Sequence, residues 1–379
     1  MSLAGSGTRA VQNRFSVRRK HSRMSTASGK PTVCVVNFNG RNALPPTLEA
    51  ACALRELFAG IVLLDNGSSD DSVAWVEQAF PEVQILKLGS NRGAGGARNA
   101  GLRQAPTDRI LFIDNDVALT AQCVAHLGAA LDAHPQAALA AATVIYAHRR
   151  DTIQYDGAEC HFLGIQRLLD EDRPIAAVPP AVRKVGSLST CCFMADRSRI
   201  PPGEFFDETY FYIFEDHDYG VRLRLLGAEI LSVTDAPCYH GKGTEGLSIR
   251  QLGSYSSKRI HYTIRNRWLM LLKNFQLHTL LILTPMYFVY ELAQLLLIVK
   301  KGWLKEWWQA VRWIVGNFPA ILRERRRIQA ARRVPDRAVL IGGAAPFRAE
   351  LTAGTFERLA RRMLDLMLGG YWKLVSVLI

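Results

Sequence analysis

From Pro31 to about Val233, short apolar runs alternate with amphipathic segments, the pattern an α/β domain produces. The runs predict strands over Thr32–Asn37, Ile61–Asp65, Val83–Leu88, Arg109–Ile113 and Ala228–Val233. Helices are expected over Thr47–Phe58, Asp70–Phe80, Gly95–Gln104 and Ala121–Ala133, with Asp70 and Thr120 as N-caps. Right-handed crossovers make such strands parallel, and a parallel sheet gathers its ligand site beyond the carboxyl ends of its strands. Three acidic or amide clusters fall at those ends. After Gly246 the pattern turns helical, rich in aromatic, leucine and arginine residues, up to about Val334. Beyond it lie one amphipathic run, Phe356–Leu368, and an apolar end. The chain thus divides into residues 1–30, 31–245, 246–335 and 336–379.

Composition narrows the class. With 379 residues and 49% hydrophobic side chains the chain can bury a sizeable core, which excludes a disordered or fibrous protein. Seven cysteines without a CxxC spacing fit neither a disulfide framework nor a zinc cluster, and indicate a reducing compartment. A net charge of +13 calls for an anionic partner. Residues 1–30 carry seven Lys or Arg and no acid, and read as a disordered basic tail without the apolar segment of a secretory signal.

The strand ends carry the candidate chemistry. The first strand ends in Val36-Asn37-Phe38-Asn39-Gly40 and the second in Leu64-Asp65-Asn66-Gly67-Ser68-Ser69-Asp70. Phe38 offers a face to a nucleobase, and Asp65 an acceptor for the imino N–H that uracil, thymine and guanine have. Both segments also have the composition of ordinary turns. Gly89 to Gly101 forms a glycine-rich loop running into a helix, whose N-terminal amides suit a diphosphate. It misses the dinucleotide fingerprint because Arg98 stands at its last glycine.

Ile110-Leu111-Phe112-Ile113-Asp114-Asn115-Asp116 is sharper: a buried strand ends in two acids one residue apart, which point to one side and call for a cation. Oxygen ligands favour Mg²⁺ or Mn²⁺. An aromatic run, Tyr210 to Phe214, then leads into Glu215-Asp216-His217-Asp218 at a helix start. Asp218 and Arg222 make an i,i+4 pair there, leaving Glu215 and Asp216 available for base work. His240 stands alone in Pro237-Cys238-Tyr239-His240-Gly241.

In this order the motifs resemble family 2 glycosyltransferases of the GT-A fold, over roughly residues 32 to 275. The resemblance implies a mixed sheet flanked by helices over 31–245 that binds a nucleotide-sugar; the helices after it are expected to be membrane-associated on the grounds given below. By position, Phe38, Asn39 and Asp65 look like base-side donor residues, Arg98 and Asn99 like donor-loop residues, and Asp114 and Asp116 like the DxD motif. Asp216 is similar to the family's catalytic base, Glu215 to its acidic neighbour, and His240 to a third metal ligand. The implied reaction is an inverting transfer from a UDP, dTDP or GDP sugar to a saccharide or lipid-linked acceptor, needing Mg²⁺ or Mn²⁺, in cell-envelope glycan synthesis. Processive synthases carry Gln-x-x-Arg-Trp after the base. This chain has Arg265-Asn266-Arg267-Trp268, which implies one sugar per acceptor, as in rhamnosyltransferase-like members.

Leu277–Val299 is long enough to span a bilayer but contains Pro285, Glu291 and Gln294, with basic residues on both flanks. Trp303, Trp307, Trp308 and Trp313 then alternate with Lys305 and Arg312, ahead of Arg323, Arg325, Arg326 and Arg327. This favours association with the anionic cytoplasmic face of a membrane without a simple crossing. The competing reading is a helical bundle on the catalytic domain or a homo-oligomer interface. Two rival functions fit less well. A nucleotidyltransferase calls for a more basic loop than Arg92 and Arg98 provide, and a nucleic-acid-binding protein leaves Asp114, Asp116 and Asp216 without a role, so no nucleic-acid partner is expected.

Overall fold

The structure, a computed structural model, describes residues 29–241, 256–345 and 355–379. The basic tail up to residue 28 and the beginning of the expected helical region lie outside the described residues. The first part runs β1 (Thr32–Asn37), α1 (Leu44–Ala53), β2 (Gly60–Asp65), α2 (Ser72–Ala79), β3 (Gln84–Lys87), α3 (Gly93–Gln104) and β4 (Arg109–Asp114). Strand β1 pairs in parallel with β2 and β4, and β2 with β3. All six residues of β1 are buried, because helices cover both faces of the sheet. Helix α1 starts before the predicted Thr47 since Pro45 and Pro46 occupy its first turn, where a missing N–H costs nothing. Thr120 accepts from Cys123 N (3.0 Å) as the expected cap, whereas Asp70 sits before the cap position of α2 and accepts from Ser72 N (3.2 Å).

The second part contains β5 (Val117–Ala118), α4 (Ala121–Ala133), β6 (Ala137–Tyr146), β7 (Arg149–Tyr155), β8 (Ala158–His161), β9 (Ile165–Leu168), β10 (Val182–Lys184), β11 (Cys192–Asp196), α5 (Glu215–Leu225) and β12 (Glu229–His240). Strand β11 lies antiparallel between β4 and β6, so the sheet is mixed. Among the described residues its path is β3-β2-β1-β4-β11-β6-β12-β10, with β5 on β12 and β7 on β6. The strand predicted to end at Val233 continues to His240, after a register shift against β6 between Val233 and Pro237.

Helices α6 (Ser257–Asn274), α7 (Leu277–Lys301), α8 (Leu304–Gly316), α9 (Phe318–Ala331) and α10 (Thr355–Val375) follow. Between α9 and α10 a short strand, β13 (Leu340–Ile341), pairs with β8, so residues 336–379 are not wholly helical and return to the half of the chain that carries the strands. Helix α7 is long and apolar enough to cross a membrane. Its Glu291 turns inward to an ion pair with Arg267, while Leu277, Leu281, Phe288, Leu292, Leu296 and Val299 are exposed along one face. That stripe is roughly 33 Å long at 1.5 Å per residue. The tryptophans behave differently from the interfacial pattern expected of them. Trp303 and Trp307 pack on Ile260, Ile264, Ile298 and Ala310, Trp313 stacks on Arg265, and Trp308 is exposed.

Candidate active site

Register alone brings three polar strand ends level: Asn37 lies opposite Asp65, and Val36 opposite Asp114. Asn37 is wholly buried and binds the ends together, its Nδ2 donating to Ser68 Oγ (3.2 Å) and Ser72 Oγ (3.1 Å) and its Oδ1 accepting from Asn115 Nδ2 (3.0 Å). Asp65 is buried and accepts from Ser68 N (3.2 Å). Phe38, half-buried, follows β1 beside it, and Asn39 has φ 49°, with its Oδ1 accepting from Ser69 N (2.7 Å). Phe38, Asn39 and Asp65 therefore share one edge of the cleft.

The glycine-rich loop is clamped by Asn66, whose Nδ2 donates to Gly93 O (3.0 Å) and whose Oδ1 accepts from Arg92 N (2.9 Å). Gly93 has φ 73°, and a Cβ there would strike the Phe211 carbonyl, so the loop closes tightly on the segment before α5. Helix α3 begins at this glycine, earlier than the predicted Gly95. Its Arg98 is 1% exposed. Arg98 Nη2 donates to Asp114 Oδ1 (2.6 Å) and Thr190 O (3.2 Å), while Nη1 lies 3.7 Å from Glu215 Oε1. Arg98, Asp114, Glu215 and Asp216 thus form one charged cluster. Asn99 is apart from it: its amide is committed to Phe206 O (2.9 Å), Phe206 N (2.9 Å) and Glu208 Oε1 (3.1 Å).

Glu215 and Asp216 open α5, where the helix dipole favours acids. Burial, with Asp216 adding its charge, pushes the Glu215 carboxyl up to about 7 against the pull of Arg98. Burial also raises Asp216, against the His217 N–H that donates to its Oδ1 (2.7 Å). Asp216 is half-buried while Glu215 is buried. Among the described residues, Arg98 Nε and Nη1 and Glu215 Oε2 are buried without a hydrogen-bond partner in the protein, which leaves them available to water or a ligand.

The turn feeding α5 is unusual. Phe211, Ile213 and Phe214 have φ of 59°, 54° and 70°, each costing about 1–3 kcal/mol for a residue with a side chain. Nothing in the aromatic sequence favours that backbone, so surrounding contacts must hold it.

The extension of β12 brings His240 to Asp116. His240 pairs across to Val117 on β5, and its Nε2 lies 3.1 Å from Asp116 Oδ1. His240 Nδ1 faces Gln154 Oε1 at 2.9 Å, so one ring nitrogen is oriented by an amide and the other aims at the carboxylate. Burial works against a proton on His240, but the Cys191 sulfur and the Asp116 carboxylate outweigh it and lift the imidazole to about 10. Among the described residues no three His, Cys, Asp or Glu side chains are gathered in a metal-holding group, since Asp114 turns to Arg98. The pair still fits Mg²⁺ or Mn²⁺ if the cation displaces the proton held between His240 and Asp116, since these ions take one or two protein carboxylates and complete their shell with substrate phosphates. Two cis ligands about 2.1 Å from such an ion sit about 3 Å apart, the separation seen here. Gln154, Asn37, Asn66, Arg265 and Asn266 were not anticipated as site residues. Asn37 and Asn66 had a signal, an amide at each strand end, and Gln154 had none beyond its place in a strand-like run.

Residues 32–190 match the family described as glycosyl transferase family 2. The chain is 34% identical over 86 residues to the succinoglycan biosynthesis protein ExoO of Rhizobium meliloti, covering 22% of this chain and 25% of that protein. It is 29% identical over 231 residues to the N-acetylglucosaminyl-diphospho-decaprenol L-rhamnosyltransferase of Mycobacterium tuberculosis, covering 55% of this chain and 75% of that one. The match thus spans about a quarter of the first relative's length. GalNAc-T7, crystallised with UDP, GalNAc and Mn²⁺, has a similar fold, with a TM-score of 0.53 at 14% identity over 65% of this chain and 48% of the other. The mixed sheet, with acids at the carboxyl ends of β2 and β4, is thus of GT-A type, and it is residues 32–190 within it that resemble a glycosyl transferase family 2 domain.

Proposed function

We propose that this protein is an inverting, divalent-metal-dependent glycosyltransferase that moves one sugar from a UDP, dTDP or GDP donor to a saccharide or lipid-linked acceptor in cell-envelope glycan synthesis. The observation that carries the reading is the convergence of Asp114, Glu215 and Asp216 on the buried Arg98, next to the level ends of β1, β2 and β4. Phe38 and Asp65 bind the base edge. Asp116 and His240 would hold a divalent cation, whose positive charge would offset the charge developing on the departing diphosphate. Asp216, the more open of the two neighbouring acids, takes the proton from the acceptor hydroxyl. The acceptor oxygen forms its bond to the anomeric carbon as the bond to the diphosphate breaks, so a single displacement inverts the centre and needs no enzyme nucleophile. Arg98 holds Asp114 in place and offsets the acids around it.

Calorimetry of UDP, dTDP and GDP with and without Mn²⁺ tests the metal assignment. One of the three is expected to bind only with the cation, and Asp116→Ala to weaken it at least tenfold, because like charges otherwise face each other at close range. Equally tight binding in excess EDTA, unchanged in Asp116→Ala, would overturn it.

The same reading has the protein acting at the cytoplasmic face of the cell membrane, held there peripherally or monotopically. The apolar stripe of α7 and the exposed Lys300, Lys301, Lys305 and Arg312 support it. Full-length protein is expected to sediment with membranes and to leave them in carbonate, and Leu281→Glu combined with Phe288→Glu and Leu292→Glu to become soluble. Wild-type protein found wholly in the soluble fraction at low salt would refute it.

A further inference from the structure

The segment Arg265-Asn266, where the chain departs from the processive Gln-x-x-Arg-Trp pattern, lies against the strained turn ahead of α5. Asn266 is fully buried. The two N–H groups of its amide are shared among three carbonyls of that turn, Tyr210 O (3.1 Å), Tyr212 O (2.9 Å) and Ile213 O (2.8 Å). Its Oδ1 accepts from Arg265 Nε at 2.7 Å, which fixes the amide orientation. Arg265 Nη2 donates to Thr209 O (2.7 Å) and Tyr210 O (2.9 Å), and the guanidinium is sandwiched between Tyr262 and Trp313, 4.4 Å from each ring. Buried carbonyls need donors, and here one pair of adjacent side chains supplies them to four residues running from Thr209 to Ile213.

What the turn controls lies on either side of it. At its end Phe214 accepts the first helical hydrogen bond of α5 from Asp218 N (2.9 Å), so the turn fixes where Glu215 and Asp216 point. At its start Phe211 presses its carbonyl on Gly93 of the glycine-rich loop. A backbone with three positive-φ residues that are not glycine is strained, and relaxing it would move the start of α5 and the acids there.

We propose that Arg265 and Asn266 are positioning residues for the transfer reaction: they hold the 209–214 turn in its left-handed form and thereby set the start of α5, with Asp216, against the donor loop. The inference rests on the reading of Asp216 as the base. Asn266→Asp keeps the shape and removes both donors. It is expected to lower kcat by about 10- to 100-fold, as misplacement by about an ångström does. The KM for donor and the UDP affinity measured with Mn²⁺ should stay within about threefold of wild type, since β1, β2 and β4 are untouched. Asn266→Ser, which retains one donor, should fall between the two and serves if the first variant does not fold. A kcat unchanged per folded molecule, or a UDP affinity that falls as far as kcat, would overturn the proposal. If the wild type transfers no sugar from any donor, the reading of the activity fails, and hydrogen exchange still decides the positioning role. Faster exchange of the 210–216 amides in Asn266→Asp, with β1 to β4 unchanged, supports it, and unchanged exchange refutes it.

Discussion

Asp216→Asn is expected to lower sugar transfer by about 10²- to 10⁴-fold, the usual contribution of a general base, with nucleotide affinity held within about threefold. The substitution keeps the side-chain shape and the bond from His217 N but removes the proton acceptor. Its neighbour is the natural rival: Glu215 sits one residue away with its carboxyl pushed up to about 7, a value suited to proton transfer near neutral pH. Geometry separates the two. Glu215 is buried and faces Arg98 at 3.7 Å, whereas Asp216 keeps part of its surface exposed. Glu215→Gln should therefore cost less than Asp216→Asn. If Asp216→Asn turned over normally and Glu215→Gln did not, the base would be Glu215. The pH dependence gives a further check. A base works deprotonated, and burial raises Asp216, so the acid limb of kcat/KM should lie above the range of an ordinary aspartate.

The parts of this site that the sequence reveals are those where local pattern and tertiary structure agree. Each of β1, β2 and β4 is an apolar run that stops at Asn37, Asp65 or Asp114, so the change from apolar to polar marks the strand ends that border the site. The middle of the chain is opaque for the opposite reason. Ala137 to Ala142 has the composition of a helix, yet it forms the first half of β6, between β11 and β12. Alanine's intrinsic preference is outweighed by pairing on both sides. Missing β6 hides β11 and the extension of β12, and with them the reason that His240 reaches Asp116. Gln154 and Asn266 are invisible for a different reason. Each acts through a contact to a residue far along the chain, His240 and the 210–213 carbonyls, and single polar residues carry no periodicity to announce it. The pair Asp218–Arg222 was legible because it is local, but the larger assembly it belongs to was not.

That assembly carries the other large expected effect: Asp218→Asn should destabilise the fold by about 3–5 kcal/mol, the usual result of removing one partner from a buried charged network. Asp218 is fully buried between Arg222 Nε (2.7 Å) and Lys273 Nζ (3.1 Å), and accepts from Tyr210 Oη (2.9 Å) and Asn274 Nδ2 (2.8 Å). Lys273 also reaches Asp207 (2.5 Å), and Glu204 pairs with both Arg222 and Arg327. Lys273 and Asn274 come from α6 and Arg327 from α9, so these charges fasten the helical region to the sheet domain beside α5. The substitution leaves Lys273 and Arg222 with less compensation in a site that water does not reach. Burial acts to raise the Asp218 carboxyl, but Lys273 and Arg222 prevail and hold it well below the usual carboxylate range. A depressed folded pKa contributes stability above the unfolded value, about 3.9, and loses it only as pH falls through the folded value. Wild type should therefore keep this contribution at pH 5 to 8 and lose it in strong acid. Lys184→Gln is the control, since its exposed pair with Glu229 (2.5 Å) should be worth less than about 1 kcal/mol. Urea unfolding of both variants at pH 7 and pH 4 measures the difference, and an Asp218→Asn midpoint no lower than that of the control would show that the network does not hold the two regions together.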